Sequence, residues 1–268
     1  MAIFKGIIFL FLALGFIITT LPFYWWSKWR RYRSRKFIGQ IKAFYCNLVL
    51  KLFAIETNWK GYIPLKQKKI GDLLVANHLS YLDVLILAAN HPSCFVTSVE
   101  MKNTLFLGML CDVGGCLYVE RRNKDKIEQE IKDISNALAA GLDVIIFPEA
   151  TSTCGSTVER FKIPLFRAAR ECGARVIPIT LNYQALNYRP ICAHNRDLVF
   201  WYGKMRFASH LWKFLQQRRL NVEVSISKLI DSLRVNDPVE LSIVAHKAVL
   251  SRYIPIKGNK VSFALNSE

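Results

Sequence analysis

His78 and Asp83 are the side chains whose types and spacing point most directly to chemistry. They lie in Asn77-His78-Leu79-Ser80-Tyr81-Leu82-Asp83, between an apolar run read as a strand and a segment, Val84 to Ala89, of helical propensity. A histidine in the loop and an aspartate on the first helical turn would let the carboxylate accept a hydrogen bond from one ring nitrogen. That bond fixes the tautomer and frees the other nitrogen as a base. The spacing alone also fits a structural histidine. A second cluster, Phe147-Pro148-Glu149-Ala150-Thr151-Ser152, follows another apolar run and sets a carboxylate and hydroxyls in a loop at a strand's C-terminal end, where α/β sheets build their sites. Two further segments follow the same logic: Gly114-Gly115-Cys116-Leu117-Tyr118-Val119-Glu120-Arg121-Arg122 and Val176-Ile177-Pro178-Ile179. Each has a plain structural alternative: Glu149 could cap a helix, Arg121 and Arg122 could form a solvated face, and Pro178 could mark an edge strand.

These loops need a scaffold, and from Asp72 onward short β-branched runs alternate with helix-period segments, the pattern of an α/β sheet. Strands are expected over Leu73 to Ala76, Cys94 to Val99, Leu117 to Val119, Val144 to Phe147, Val176 to Leu181, Leu198 to Tyr202 and Val222 to Ile226. Lys124 to Ala140 reads as a helix with Ile127, Ile131, Ile134 and Leu138 on one stripe and Gly141 as its stop. Another helix begins at Asp237, with Pro238 in its first turn and Glu240 three residues on.

The charge is blocked rather than spread. The chain has 268 residues and a net charge of +17; Met1 to Lys69 hold 13 Lys/Arg against Glu56 alone, and Ile70 to Glu268 hold 24 basic and 19 acidic side chains. In that first quarter Gly6 to Trp26 runs without a charge, long enough to cross a hydrocarbon core, and ends in Phe23, Tyr24, Trp25, Trp26 and then SKWRRYRSRK. An apolar run, a ring belt and a basic block suit a membrane better than nucleic acid, and no small-residue cleavage site follows. If the helix spans, the basic block puts the rest of the chain in the cytoplasm, at the inner membrane of a bacterium. Phe37 to Ile55 reads as a helix, either in the core or in the interface. Lys36, Gln40, Asn47 and Lys51 line its polar side, Phe44, Leu48, Leu52 and Ile55 its apolar side, and Lys42 snorkels. Lys60 to Lys69 reads as a linker, dividing an anchor with interfacial helix (1–59) from a catalytic domain (60–268). Seven cysteines with no C-x-x-C pair read as reduced thiols, and no metal site is implied.

Taken in order, the four segments resemble the glycerolipid acyltransferase family, in particular its 1-acylglycerol-3-phosphate and lysophospholipid O-acyltransferases. The family's blocks run N-H-x-S-x-x-D, then a G-x-x-F-[IV]-[DE]-R type block, then F-P-E-G-T-[RS], then [VI]-P-[VI], and all have counterparts between Asn77 and Ile179. The resemblance implies a mixed, mostly parallel sheet flanked by helices behind an N-terminal helical anchor. It also implies a direct transfer in which His78, oriented by Asp83, takes the proton of a lysolipid hydroxyl as the oxygen attacks an acyl thioester. Consistent with transfer without an acyl-enzyme, the chain has no G-x-S-x-G elbow. Glu149 and Thr151 would shape the pocket and hold the acceptor; Asn77, Ser80 and Arg121 are second-rank positioning candidates. No cofactor is bound, and acyl-CoA or acyl carrier protein is the donor. Two positions depart from the pattern. Ala150 replaces the usual Gly, which strains a backbone that needs positive φ. Ser152 stands where phosphate-handling members often carry Arg, which disfavours lysophosphatidate as acceptor unless Arg121, Arg122, Arg160 or Lys162 restores the charge. Two rival readings use the same residues: a coenzyme-independent phospholipid transacylase, and a catalytically silent membrane-binding relative.

Overall fold

The computed structural model describes residues 1–27, 31–63, 69–120 and 124–256, so Arg121, Arg122 and the middle of the Lys60 to Lys69 segment lie outside the described residues. The helices are α1 (Ala2–Trp26), α2 (Arg31–Phe53), α3 (Leu82–Asn90), α4 (Val99–Lys102), α5 (Leu105–Val113), α6 (Lys124–Ala139), α7 (Pro164–Cys172), α8 (Phe207–Leu215) and α9 (Pro238–Leu250). The strands are β1 (Ile55–Lys60), β2 (Leu73–Ala76), β3 (Cys94–Ser98), β4 (Leu117–Val119), β5 (Val144–Ile146), β6 (Arg175–Leu186), β7 (Arg189–Pro190), β8 (Leu220–Ile226) and β9 (Ile230–Asp231).

The central strands are short because both of their faces are buried. Every residue of β2 and β5 is enclosed, as parallel strands covered by helices must be. The sheet order is β1-β8-β6-β2-β5-β3-β4, with β7 and β9 also paired to β6. All neighbours on the main path run parallel except β8 and β6. This is the mixed, mostly parallel sheet flanked by helices that the resemblance implies. The helices form two packed groups, α6, α7 and α9 in one, and α1, α2, α3, α5 and α8 in the other. Local signals act as expected at α6, where Ile131, Ile134 and Leu138 are buried and Gly141 follows at φ 79°. At α9 the Asp237 carboxylate accepts the Glu240 N–H at 2.8 Å.

Four expectations need correction. Leu198 to Tyr202 is not a strand but a 3-10 turn (Arg196–Leu198) followed by irregular chain. Val199 and Phe200 are fully buried, and the backbone around them is satisfied by the Ser80 hydroxyl, the Ser152 hydroxyl and the Leu79 carbonyl instead of by a ladder. Residues 55–60, read as a helix end and a linker start, form edge strand β1, paired parallel with β8. β6 continues five residues past Leu181, because polar Asn182 and Tyr183 are enclosed on a strand bonded to β8. In α2, Phe44 is 61% exposed, whereas Lys42 is buried instead of snorkelling. The Lys42 Nζ donates to the carbonyls of Ser93 (2.7 Å) and Gly114 (3.3 Å).

Candidate active site

β2 and β5 pair in register, Val75 opposite Ile146, so the loops that follow them leave the same edge of the sheet side by side. Asn77 closes the end of β2 from its own side chain. Its amide donates to the Leu181 carbonyl at 3.0 Å, and its oxygen accepts the Leu181 N–H at 2.8 Å. Asn77 therefore braces β2 against β6 from a buried position, and Ser80, whose hydroxyl donates to the Val199 carbonyl at 2.7 Å, braces the loop in the same way.

Asp83, in the first turn of α3, is fully buried. Its Oδ2 lies 2.8 Å from His78 Nδ1 and accepts the Leu79 and Ser80 N–H groups at 2.7 and 2.9 Å. Its Oδ1 accepts the Tyr183 hydroxyl at 2.6 Å. Burial first, and the Asp83 charge beside it second, hold the Tyr183 hydroxyl pKa well above its ordinary value, so it stays a donor. A carboxylate held by this many donors keeps the histidine proton on Nδ1 and leaves Nε2 as the basic nitrogen. Nε2 makes no hydrogen bond among the described residues. The Phe147 ring stacks on the imidazole at 4.1 Å and 16°, fixing its plane. A second His–Asp pair, His91 Nε2 to Asp143 Oδ2 at 2.8 Å, shows that the pairing alone is not the signal. His78 differs in standing at the strands' C-terminal edge and on a cavity wall.

That cavity has a volume of about 440 Å³ and is mainly apolar. His78, Phe147, Thr151 and Ser152 line it together with Phe9, Leu12 and Phe16 of α1, Tyr45, Val49 and Phe53 of α2, and Trp201, Phe207 and Leu211. The N-terminal helix, read from sequence only as an anchor, is thus a wall of the site. Lys42 is the only Lys or Arg on the wall among the described residues, and its ammonium is bound to backbone carbonyls. Arg160 and Lys162 are exposed and do not reach it. Ser152 is on the wall, its hydroxyl donating to the Trp201 carbonyl at 2.6 Å. Among the described residues no cluster of His, Cys, Asp and Glu could hold a metal ion.

Glu149 is turned inward. Its two oxygens accept the N–H groups of His78 (2.7 Å) and Glu159 (2.8 Å), tying the histidine loop to the following segment. Burial pushes its pKa up to about 8 against the pull of those two donors. Beside it Ala150 has φ 64°, the left-handed conformation that favours glycine. Ala150→Gly is expected to raise stability by about 1 kcal/mol. Urea unfolding measures this, and an unchanged or lower midpoint at constant slope would show that the methyl group packs well enough to offset the strain.

Two features of the site have no mark in the motifs. Tyr183 lies beyond the fourth block; its only signal is that it continues the alternation of Ile177, Ile179 and Leu181 on one strand face. Phe147 belongs to a motif, but nothing in the motif tells that its ring covers His78.

An α/β sheet that presents a His–Asp pair beside an apolar cavity is the arrangement that the resemblance to acyltransferases implies. Comparison with known proteins agrees. The family model described as Acyltransferase matches residues 60–182. The lyso-ornithine lipid O-acyltransferase of Rhizobium meliloti strain 1021 is 29% identical over 177 residues, 63% of this chain and 61% of that protein, so the match spans under two thirds of the relative's length. The 1-acyl-sn-glycerol-3-phosphate acyltransferase of Neisseria gonorrhoeae is 26% identical over 186 residues, 69% of this chain and 71% of that one. The crystal structure of the 1-acyl-sn-glycerophosphate (LPA) acyltransferase PlsC from Thermotoga maritima superposes with a TM-score of 0.59 at 18% identity, covering 92% of this chain and 95% of that one; it shows a shared fold. Residues 60–182 thus match the Acyltransferase family model, and the chain is similar to lysolipid and 1-acyl-sn-glycerol-3-phosphate acyltransferases.

Proposed function

We propose that this acyltransferase moves a fatty acyl group from an acyl thioester, acyl-CoA or acyl carrier protein, to the free hydroxyl of a lysolipid whose head group is not a bare phosphate monoester. The observation that carries the reaction is the unbonded Nε2 of His78 on the wall of an apolar cavity, with Asp83 bound behind the ring. Nε2 takes the acceptor's hydroxyl proton while that oxygen attacks the thioester carbonyl. The C–S bond then breaks, and the leaving thiolate takes the proton back from the imidazolium. The products are an ester and a free thiol, and the chain itself is never acylated. Asp83 stabilises the transient imidazolium, Thr151 and Ser152 face the acceptor, and the walls supplied by α1 and α2 take its hydrocarbon or the donor's.

The acceptor reading is supported by Ser152 in place of a guanidinium, by the absence of a free Lys or Arg from the described cavity wall, and by relatives named as lyso-ornithine lipid O-acyltransferases, whose acceptors carry an amine. The test is a transfer assay with labelled acyl thioester on lyso-ornithine lipid, a zwitterionic lysophospholipid and lysophosphatidate. The amine-bearing acceptors should have the higher specificity constants, and Ser152→Arg should shift preference toward lysophosphatidate. A wild-type preference for lysophosphatidate of tenfold or more, about 1.4 kcal/mol, would sink the acceptor reading.

The enzyme works at a membrane in this proposal, with residues 1–59 serving as anchor and cavity wall for the 60–268 unit and with the catalytic face in the cytoplasm. α1 is long and apolar enough to cross a bilayer, and little of its surface is buried. It is also tied to the rest of the chain along its length, by Lys5 Nζ donating to the Gln217 carbonyl at 2.8 Å, by Phe9 against Phe53, and by Trp26 against Phe37. Those ties favour a helix lying along the domain with Ile3, Ile7, Leu10, Leu14, Ile18, Leu21 and Trp25 presented to lipid as one ridge.

A further inference from the structure

Residues 198–222 contain five Lys/Arg (204, 206, 213, 218 and 219) and no Asp or Glu. At the centre of this stretch α8 buries His210, Phe214 and Leu215 and lends Phe207 and Leu211 to the cavity wall. Its Leu211/Leu215 edge faces α1: a Leu215 methyl lies 3.6 Å from where a Cβ on Gly6 would stand. At about 100° per residue, Ala208 and Trp212 come next around the helix from that edge. Both are exposed, Trp212 by 47%, so this indole adjoins the apolar ridge of α1. Lys213 lies farther round the same exposed arc, and Lys204 and Arg206 lead into the helix, all exposed. No carboxylate pairs with Lys204, Arg206, Lys213 or Arg218 among the described residues. Lys204 directly follows Trp201, Tyr202 and Gly203, which line the cavity, and Gly203 is exposed there.

We propose that this face of α8 is a second membrane-contact surface, with Trp212 in the interface and Lys204, Arg206 and Lys213 on anionic head groups, seating the cavity opening on the bilayer. The proposal rests on the membrane-associated reading above. An exposed indole beside unpaired cations, continuous with an apolar helix ridge, is the composition that suits an anionic lipid surface. A docking site for an acidic carrier protein would need the charge but would give Trp212 no reason to stand exposed against α1. Its consequence is that a lysolipid passes from the leaflet to His78 without crossing water.

The test uses the full-length protein on phosphatidylcholine vesicles with and without phosphatidylglycerol. The Trp212 emission, taken as the difference between wild type and Trp212→Phe, should be quenched by dibrominated phosphatidylcholine. The reading needs no turnover, so it survives or fails independently of the acyl-transfer assay. The triple variant Lys204→Glu, Arg206→Glu, Lys213→Glu should raise the half-saturating concentration of anionic vesicles at least fivefold, with transfer in uncharged detergent micelles unchanged. Unquenched Trp212 emission overturns the proposal. A triple variant that binds vesicles normally but loses efficiency with the thioester donor in micelles overturns it in favour of a carrier dock.

Discussion

His78→Ala is expected to lower acyl transfer by about 10²- to 10⁴-fold, the contribution typical of a positioned general base, and to leave the chain folded. The fold survives because the contacts that hold this loop run through backbone. The His78 N–H donates to Glu149 and its carbonyl accepts the Thr153 N–H at 3.0 Å, and both persist in alanine. What is lost is the ring's stack on Phe147 and one donor to Asp83, for a side chain still 19% exposed. A stability loss of up to about 2 kcal/mol follows, a melting shift of several degrees in a chain of this size. Measuring transfer with labelled acyl thioester and thermal unfolding on one preparation separates the two effects. Turnover within tenfold of wild type would end the proposal that His78 is the base.

Asp83→Asn is expected to cost about 10³- to 10⁴-fold in kcat, with KM for the lysolipid within about threefold, because the charge that stabilises the imidazolium disappears while the cavity walls stay. The reasoning is one of donors and acceptors. Oδ2 faces three N–H groups and must remain an oxygen, which forces the new amide nitrogen toward Tyr183, whose hydroxyl now donates to Oδ1. That hydroxyl can turn to accept, so the fold loses about 1–3 kcal/mol, not its integrity. A kcat loss below tenfold would show that orientation by the backbone suffices. Tyr183→Phe gives the graded companion result. Without the O–H the carboxylate presents more charge to His78 and holds the imidazolium more strongly. The acid-side half-maximum of the rate profile should therefore move to higher pH, with a three- to tenfold loss of rate. Loss of rate with no movement of the profile would make Tyr183 a packing residue only.

Much of the scaffold was legible because it is written in local rules. Alternating β-branched runs and stripes of period 3.6 placed β2, β4, β5 and α6 within a residue or so, and capping chemistry placed the start of α9 at Asp237. Adjacency in sequence also brought His78 and Asp83 together, since five residues across a strand end and a first helical turn leave the carboxylate one place to reach. The apolar run at Leu198 to Tyr202 misled for a physical reason. Burial, not periodicity, is what such a run reports, and a loop whose carbonyls find hydroxyl donors buries as well as a strand.

The tertiary structure alone decided which groups face the cavity and which hold the frame. Asn77, Ser80 and Glu149 stand in the motifs beside His78, yet each spends its polar atoms on backbone 10 to 119 residues away. Tyr183 reaches Asp83 across 100 residues because β6 outruns β2, and α1 becomes a cavity wall because Phe9 packs against Phe53 of α2 and Phe106 of α5 and Phe16 against Tyr45 of α2. The amino-acid sequence by itself determined the groups available, an imidazole with its carboxylate, a serine in place of a guanidinium, and an apolar helix. Side-chain type and local spacing are enough for that. Which nitrogen is open, and onto what surface, depends on contacts between segments far apart in the chain, and those exist only once the sheet has assembled.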